Sequence, residues 1–442
     1  HRGDMDMNKP LKISSYDKIN YDIEMYTKPE FVYIPLENKN GNTYKYLVKE
    51  GEYVYKGGVV AVTNDDFPVH SSVSGYVVCG SNKIISSGKK IKCVVIQNDF
   101  KEKYEKSKLK KKDISKYSKE SFINDLRENG ISGLGGADYP TFLKYGIDNI
   151  KCLIVNGVEC EPFVSCDKAV MYNYAECILE AIDNILEIMK IPRAIIAVMS
   201  NDFKSIKMFN KYIKTYPNIS LAFVDNAFPN GWERLVVRNT LGIEYDRYPS
   251  EKGIIVNNVS TIYAIYEMFK YNRPLTERVI TITGPGVKKK RNVKVKIGAL
   301  ASEIINNLDG YRDIKNPLFI VGGPMMGKSV PTDDVVITKD VTSLLVISDN
   351  FEKNLPCIKC GKCTYVCPSN IMPVLIMNNI DNVDNLKKLE CNKCIGCGLC
   401  VAEAPDNFEF EGATSTLISE TVNPEVENAV NGCPVEAISI EE

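Results

Sequence analysis

The chain has little histidine, little tryptophan and almost no net charge. Of its 442 residues, only His1 and His70 are histidines and only Trp232 is a tryptophan. Chemistry that depends on a histidine therefore has two residues to draw on, and we assign His70 to a structural β module. A net charge of −1 predicts neither a nucleic-acid partner nor an anionic membrane surface. No apolar run is long enough to cross a bilayer, so no direct membrane span is expected.

The length predicts three or four domains, and 44% hydrophobic with 25% charged residues is ordinary for a globular protein. No signal peptide is recognisable at the start, and a chain that begins at His1 indicates a trimmed or incomplete terminus. We expect a cytoplasmic protein in a reducing compartment, where disulfides are not favoured.

Basic residues are absent after Lys393, whereas Asp and Glu recur to Glu442. A partner protein could recognise such an acidic surface by its charge. The abrupt loss of Lys and Arg at this point also indicates a boundary between two modules. By contrast, residues 101–120 are rich in lysine. We interpret that stretch as a solvated linker, with docking of an acidic partner as the alternative.

Cysteine, scarce elsewhere, is concentrated after residue 356. Two runs are spaced as cluster ligands, and a Cys-Pro pair follows near the end; together they comprise Cys357, Cys360, Cys363, Cys367, Cys391, Cys394, Cys397, Cys400 and Cys433. Cysteines three apart direct their thiolates at one cubane, and a distant Cys-Pro completes it. Zinc sites usually pair two Cys-x2-Cys motifs across a longer gap, so this spacing does not favour zinc. The sequence therefore predicts iron–sulfur clusters of the [4Fe–4S] type and an electron-carrying C-terminal domain.

Three further regions precede the cysteines. Residues 30–98 alternate apolar and polar positions and resemble a biotinyl/lipoyl-like barrel-sandwich module; its turn at 64–68 has no lysine, so we expect a structural role. Strands and helices then alternate between residues 118 and 215, which predicts a mainly parallel α/β sheet. Short strands around glycines between residues 278 and 348 predict a compact α+β unit.

A glycine-rich loop, Gly133-Leu-Gly-Gly-Ala137, lies between a predicted helix and the strand at 151–156. It matches neither a dinucleotide-binding fingerprint nor a P-loop, but its backbone amides could form a nest for phosphate. The segments 156–162, 228–234 and 254–261 each join polar side chains to a strand end or a glycine turn. Ligands gather at such strand ends in α/β sheets.

These motifs, in this order, resemble the RnfC family of the Rnf complex, whose central domain is similar to the flavin- and NADH-binding subunit of respiratory complex I. The resemblance covers nearly the whole chain. It implies an α/β multidomain protein with a barrel-sandwich module, a Rossmann-like flavin/NAD domain, a β-grasp-like (SLBB) unit and a ferredoxin-like end. The corresponding ranges would be 1–100, 101–120 as linker, 121–275, 276–350 and 351–442.

The resemblance also implies cofactors and roles. FMN, NAD(H) and two [4Fe–4S] clusters would be bound, and the flavin rather than a catalytic side chain would carry the chemistry. The cofactor-binding residues would be Gly133, Gly135, Gly136 and Ala137 through their backbone, Lys144 through its charge, Asn156, Glu159 and Glu161 at the ring and ribitol, and Asn257, Asn258 and Thr261 at the phosphate end. The chain would be an NADH dehydrogenase-type subunit.

Two departures from the family pattern leave alternatives open. Asp138 and Tyr139 replace the usual Gly-Phe of the loop, Trp232 stands where a small or acidic residue is common, and Ser260 where Glu is common. A carboxylate beside a phosphate is unfavourable unless it is paired. The alternative function is accordingly a non-enzymatic iron–sulfur adaptor that docks to a cytosolic reductase, as in proline-reductase-associated relatives.

The second departure concerns the clusters. In the family each run ends Cys-x3-Cys-Pro, but Ala404 occupies that ligand position in the second run. This favours Cys394, Cys397, Cys400 and Cys433 around one cluster, as in single-cluster ferredoxins. The first run would hold the other cluster, with Cys367 or Cys391 as fourth ligand. A swapped assignment, with Cys367 on the second cluster and Cys433 or Cys391 on the first, stays open, and Cys391 could be spare. Partners would be the remainder of a membrane Rnf-like complex or ferredoxin, with the chain in the cytoplasm or peripheral on the cytoplasmic face of the membrane.

Overall fold

A computed structural model describes residues 19–106, 113–245, 247–349, 373–378, 399–411, 414–432, 438 and 440. The helices in this part of the chain are α1 Lys119–Glu128, α2 Thr141–Tyr145, α3 Cys166–Met189, α4 Phe203–Tyr212, α5 Glu233–Leu241, α6 Val259–Tyr271, α7 Ala301–Asn307, α8 Pro373–Asn378, α9 Leu399–Glu403 and α10 Pro424–Gly432. Short 3-10 helices span Ile114–Lys116, Ile213–Thr215 and Pro249–Lys252.

The strands are β1 Ile23–Tyr26, β2 Phe31–Pro35, β3 Tyr44–Tyr46, β4 Tyr53–Val54, β5 Val59–Thr63, β6 Pro68–His70, β7 Gly75–Ile84, β8 Lys90–Asn98, β9 Cys152–Gly157, β10 Ala194–Met199, β11 Ile219–Val224, β12 Ile254–Asn258, β13 Glu277–Thr283, β14 Arg291–Lys296, β15 Pro317–Val321, β16 Lys328–Val330, β17 Ser343–Ser348, β18 Phe408–Glu411 and β19 Thr414–Leu417.

The all-β prediction for residues 30–98 is confirmed. Two sheets, ordered β2-β8-β7-β4 and β3-β5-β6, enclose an apolar core that includes Val32, Val60 and Ile96. Alternation along β2 places Val32 and Ile34 inside, as a period of two requires. The lysine-free turn joins β5 to β6.

The parallel α/β sheet is also confirmed, with strand order β11-β10-β9-β12 and every pairing parallel. Helices α3 and α6 cover one face, and α5 covers the other. All six residues of β10 are buried, which explains its uninterrupted run of apolar residues. The sequence predicts an amphipathic helix over residues 175–189, and the structure confirms it as the second part of α3, after a non-helical residue at Tyr174 (φ −126°). The first part, from Cys166, was not predicted; a buried glutamate caps its first turn, as described below.

The third sheet is mixed, with order β1-β14-β13-β17-β15-β16. Strand β1 comes from the N-terminal region and pairs parallel to β14, from Ile23 opposite Asn292 to Tyr26 opposite Val295. Sequence analysis assigned no strand there, because four residues at a sheet edge carry too little alternation to be recognised. This pairing ties the start of the chain to the unit formed by residues 277–348.

In the C-terminal region, α9, α10 and the β18–β19 hairpin share a small core that includes Cys400, Val401, Ala404 and Phe408. The predicted ligands Cys357, Cys360, Cys363, Cys367, Cys391, Cys394, Cys397 and Cys433 lie outside the described residues. Among the helices that the structure describes, none combines the length and the apolar character needed to span a membrane.

Candidate functional site

The predicted site residues converge at the carboxyl ends of β9 and β12. These strands are neighbours, and Asn258 stands opposite Asn156 in their register. From β9 the chain passes to β10 and β11 on one side, and then returns to β12 on the other side. The pair is therefore the topological switch point of the sheet, where open α/β sheets bind their ligands.

The glycine-rich loop lies over this switch point and is held by its neighbours. The Leu134 amide donates to the Thr261 hydroxyl at 2.9 Å, and the Gly133 amide donates to the carbonyl of Tyr139 at 2.8 Å. The guanidinium of Arg278, which is buried, donates to the Leu134 carbonyl at 3.1 Å. The loop is consequently fixed from helix α6 and from strand β13 at once.

Three consecutive amides of this loop remain available. Among the described residues, no group accepts a hydrogen bond from the amides of Gly135, Gly136 or Ala137, whereas the carbonyls of Gly136 and Ala137 are engaged by Lys39 and Asn40. Gly135 and Ala137 are exposed, and Gly136 has φ +100°. A run of accessible amides with a left-handed residue among them is the arrangement of an anion-binding nest.

The close approach at Gly135 explains the residue there. A Cβ at this position would lie 3.1 Å from the Cβ and Nδ2 of Asn258, tighter than an ordinary contact. Asn258 cannot retreat, because its Oδ1 accepts from the Ser260 amide at 2.9 Å and caps helix α6. The loop can lie this close to β12 only without a side chain at residue 135.

Asp138 is turned into the protein. Its Oδ1 accepts from the Ser132 hydroxyl at 2.7 Å, and its residue adopts a left-handed conformation with φ +53°. Burial raises the pKa of the Asp138 carboxyl, while the Lys339 ammonium and the Ser132 hydroxyl act against that rise. The carboxyl group is thus hydrogen-bonded within the protein and lies in the field of a cation, which weakens the electrostatic argument against an anion at this loop.

Glu159 closes the amino end of α3. Its side chain is buried and accepts from the amides of Asp167 at 3.0 Å and Lys168 at 3.3 Å, and from the Cys166 thiol at 3.3 Å. Burial raises the pKa of Glu159 to about 7; Lys168 opposes this effect and Asp167 reinforces it. These hydrogen bonds satisfy amides that a helix start leaves without partners, so the contacts that Glu159 makes in this structure are those of a helix cap.

Glu161 binds a different part of the protein. Its two oxygens accept from the amides of Met325 at 3.1 Å and Met326 at 2.7 Å, in the turn between β15 and β16. A Cβ at Gly323 would lie 2.2 Å from a carboxylate oxygen of Glu161. The Gly-Gly-Pro-Met-Met-Gly turn therefore lies beside the switch point, with glycine where the carboxylate approaches.

The asparagines at the strand ends are engaged with protein groups. Asn156 donates to the Gly231 carbonyl at 2.9 Å, and Asn257, which is buried, donates to the Tyr145 hydroxyl at 2.6 Å. Asn258 donates to Asp167 at 2.7 Å. Their contacts hold the walls of the crevice, from the Gly231 turn on one side to α2 and α3 on the other.

Lys144 lies at the end of α2. Its ammonium donates to the Val256 carbonyl at 2.8 Å and pairs with Glu233 at 3.1 Å. It also lies 6.0 Å from the centre of the Tyr139 ring. Since both side chains of the ion pair are partly exposed, the pair contributes little to stability, and the ammonium can reorient toward a ligand.

Sequence analysis missed Asp167, Arg278 and Lys339. Asp167 accepts from the Ser260 hydroxyl at 2.5 Å as well as from Asn258, and Lys339 donates to the Gly130 carbonyl at 2.8 Å. Ser260, noted as a departure from the family, is thus a partner of Asp167. The only local signal for Asp167 was its position as an acidic residue in the first turn of α3. Arg278 and Lys339 are distant in sequence and gave no local signal.

The arrangement fits FMN. A phosphate is held by amide donors and a nearby cation; the loop supplies three available amides, and α2 supplies the ammonium of Lys144. The exposed ring of Tyr139 lies beside Lys144, and the exposed ring of Trp232 lies at the start of α5. The only cluster ligand within the described residues, Cys400, is buried in the C-terminal core, so cluster geometry lies outside them.

Comparison with known families gives three matches in the order of the observed units. Residues 12–101 match the RnfC barrel sandwich hybrid domain, residues 126–267 the Nuo51 FMN-binding domain, and residues 390–440 the 4Fe-4S single cluster domain of ferredoxin I. The fold expectation is confirmed at this level: a barrel-sandwich module, an FMN-binding type domain and a ferredoxin-type end.

Curated relatives agree. The RnfC subunit of the ion-translocating oxidoreductase complex of Pasteurella multocida (strain Pm70) is 31% identical over 359 residues, which is 78% of this chain and 42% of that protein. The same subunit of Haemophilus influenzae (strain PittEE) is 33% identical over 357 residues, 77% of this chain and 54% of that protein. The chain therefore spans about half the length of these relatives.

Among solved structures, an NAD+-reducing [NiFe]-hydrogenase in the air-oxidized state matches with a TM-score of 0.48 at 14% identity, covering 64% of this chain and 59% of that one. This likeness is too low to support an argument. From the curated relatives and the three domain matches, the chain is a relative of the RnfC family, whose members are subunits of ion-translocating oxidoreductase complexes.

Proposed function

We propose that this chain is an electron-transfer oxidoreductase subunit that passes electrons between NADH and two [4Fe–4S] clusters through FMN bound at the β9–β12 switch point. The observation that carries the proposal is the run of three available amides, Gly135 to Ala137, over that switch point. The match of residues 126–267 to an FMN-binding domain supports the same site.

The chain's own residues bind and orient. Gly133, Gly135, Gly136 and Ala137 let the backbone approach the flavin phosphate, and Lys144 supplies a positive charge. Thr261 and Asn258 hold the loop at its working distance through Leu134 and through the capped start of α6.

The remaining predicted residues form the walls. Asn156 and Asn257 fix the strand ends, Glu159 holds the start of α3, and Glu161 holds the Met325–Met326 turn beside the crevice. These residues would hold FMN, and the flavin would supply hydride acceptance from NADH and release of single electrons toward the clusters.

For the clusters, the match of residues 390–440 to a single-cluster ferredoxin domain supports Cys394, Cys397, Cys400 and Cys433 around one of them. Cys357, Cys360 and Cys363 would hold the other, with Cys367 or Cys391 as fourth ligand. The far acceptor or donor would be ferredoxin or the other subunits of an Rnf-like membrane complex. The chain would then lie in the cytoplasm, peripheral to the membrane.

The test is an anaerobic visible spectrum of the reconstituted protein before and after NADH. Loss of both flavin and cluster absorbance is expected. Gly135→Val should lose FMN and keep its iron, because a side chain there meets Asn258. Gly146→Ala is the matched control, since Gly146 has φ −68° and an added Cβ has only an ordinary 3.6 Å contact. Clusters that dithionite bleaches but NADH does not would contradict the proposal.

The adaptor alternative rested on Asp138 in the glycine loop and on the acidic C-terminal end. The Asp138 carboxyl accepts a hydrogen bond from the Ser132 hydroxyl, and the charge of Lys339 acts on it. The acidic end suits either function. Nothing in the described part of the chain favours the adaptor over the flavin enzyme.

A further inference from the structure

We propose that Arg247 and Tyr248 form the surface on which the C-terminal iron–sulfur module of this chain docks, and that this contact controls electron passage between the flavin site and the clusters. The inference rests on the proposed function, which it extends by naming the docking surface. The module is defined here as residues 399–432.

The contact joins the segment before β12 to the core of the module. The Arg247 guanidinium donates to the carbonyl of Phe408 at 3.3 Å. Phe408 is itself buried beside Cys400 in the module's core. Arg247 therefore touches the backbone of a strand that packs directly on a predicted cluster ligand.

The docking segment is held in place on its own domain. Glu251 Oε1 accepts from the amides of Arg247 at 3.1 Å and Tyr248 at 3.0 Å. Tyr248 is 49% exposed. Burial of the remainder raises the pKa of its phenol; the charges of Tyr139 and of Glu403 in α9 act in the same direction, and Arg247 opposes them.

Charge complementarity favours the same contact. The chain contains no Lys or Arg after Lys393, so every charged side chain of the module is acidic. Within the described residues, no carboxylate lies at ion-pair distance from the Arg247 guanidinium, which leaves its charge available to that acidic surface. Complementary charges of this kind orient two surfaces more than they add affinity.

The surface leads toward the flavin site. Tyr139, whose charge contributes to the raised pKa of Tyr248, accepts a hydrogen bond through its carbonyl from the amide of Gly133 in the glycine loop. The Tyr139 ring is also adjacent to Lys144. A module docked on Arg247 and Tyr248 consequently lies on the side of the crevice lined by Tyr139 and Lys144. Loss of this contact would separate the flavin site from the clusters without altering either.

The experiment compares holoproteins carrying Arg247→Glu, Arg247→Lys or the control Arg238→Glu. Arg238 is exposed on α5 and pairs with Glu244, away from the described module contact. Stopped-flow absorbance measures NADH-driven cluster reduction, and ferricyanide measures electrons taken directly from the flavin. R247E should slow cluster reduction about tenfold, as loss of one hydrogen bond to a charged group predicts, with FMN, iron and ferricyanide reduction unchanged.

R247K should slow cluster reduction less, because it keeps the charge and loses the planar donor. R238E should match the wild type. Cluster reduction at the wild-type rate in both Arg247 variants would overturn the proposal. If R247E loses FMN or iron, the R247K variant is the test instead. Cluster reduction in R247K at the wild-type rate would then overturn the proposal. Wild-type protein that reduces no ferricyanide with NADH would instead refute the proposed function.

Discussion

The carboxylate of Glu161 accepts a hydrogen bond from the amide of Met326 at 2.7 Å, and so joins the edge of the parallel sheet to a turn of the mixed sheet. The second oxygen accepts from Met325. Burial raises the pKa of Glu161, and the two amides partly offset that effect. Glu161 and Met325 are 164 residues apart in sequence, and their contact holds the two sheets together beside the candidate flavin site.

Glu161→Gln should weaken this junction. A glutamine keeps one acceptor and turns an NH2 group toward the second amide. The free energy of unfolding should therefore fall by about 1–2 kcal/mol, which lowers the melting temperature. Differential scanning calorimetry checks this, with the exposed Glu30→Gln as a control for loss of charge. Equal melting temperatures for E161Q and E30Q would show that the junction does not depend on this carboxylate.

Thr261→Val should loosen the glycine loop. Valine has the shape of threonine but cannot accept from the Leu134 amide, and leaving a buried amide without a partner costs about 1–3 kcal/mol. We expect FMN affinity to fall about tenfold, measured by quenching of FMN fluorescence on titration with apoprotein. Thr261→Ser retains the hydroxyl and should bind FMN as the wild type does; equal losses in the two variants would contradict this role.

Glu277 lies at the centre of a buried charge cluster. Its Oε1 contacts the ammonium of Lys296 at 2.7 Å and that of Lys56 at 3.2 Å, and Lys56 also pairs with Glu102. The Oε2 of Glu277 lies 3.4 Å from the ammonium of Lys294, so Glu277→Gln removes one charged partner from three nearly buried ammonium groups. The free energy of unfolding should therefore fall by about 3–5 kcal/mol. Asp148→Asn, at an exposed pair with Lys119, is the matched control and should change little.

The Glu277 effect should depend on pH. Burial acts to raise its pKa, but Lys296, Lys294 and Lys56 outweigh burial and hold the pKa far below its usual range. An acid with a depressed folded-state pKa stabilises the protein above its unfolded pKa and loses that contribution as pH falls through the folded value. The stability difference between wild type and E277Q should be constant from about pH 6 to 8 and shrink below about pH 4.5. A constant difference into acid would exclude the charge as its cause.

The cluster assignment yields an iron count. Cys400→Ser and Cys433→Ser should each lower iron from about eight to about four atoms per chain, because each removes one ligand of the same [4Fe–4S] cluster. Cys391→Ser should leave that cluster intact. Iron analysis, together with the dithionite-bleachable absorbance, distinguishes the assignments. Retention of both clusters in C433S would contradict the assignment, because Cys433 would then ligate neither cluster. Cys367→Ser tests the swapped arrangement, in which it should remove the second cluster instead of the first.

The α/β sheet was predictable in outline because β10 and β12 are short apolar runs and the helices between them have a clear period. The start of α3 was not, since its first turn depends on Glu159, seven residues upstream of Cys166, folding back to cap it. The pairing of β1 with β14 likewise joins residues about 270 apart. Local patterns carry no information about either contact.

The sequence by itself determined the cysteine spacing, the glycine loop and the order of modules, because these reside in neighbouring residues. Only the tertiary structure decided that Asp138 turns toward Ser132, that Glu161 holds the Met325–Met326 turn, and that Arg247 meets Phe408. The orientation of a polar side chain depends on which partner lies within hydrogen-bond distance. That partner is set by the packing of distant segments, so the direction of Asp138 could not be known until the sheets were assembled.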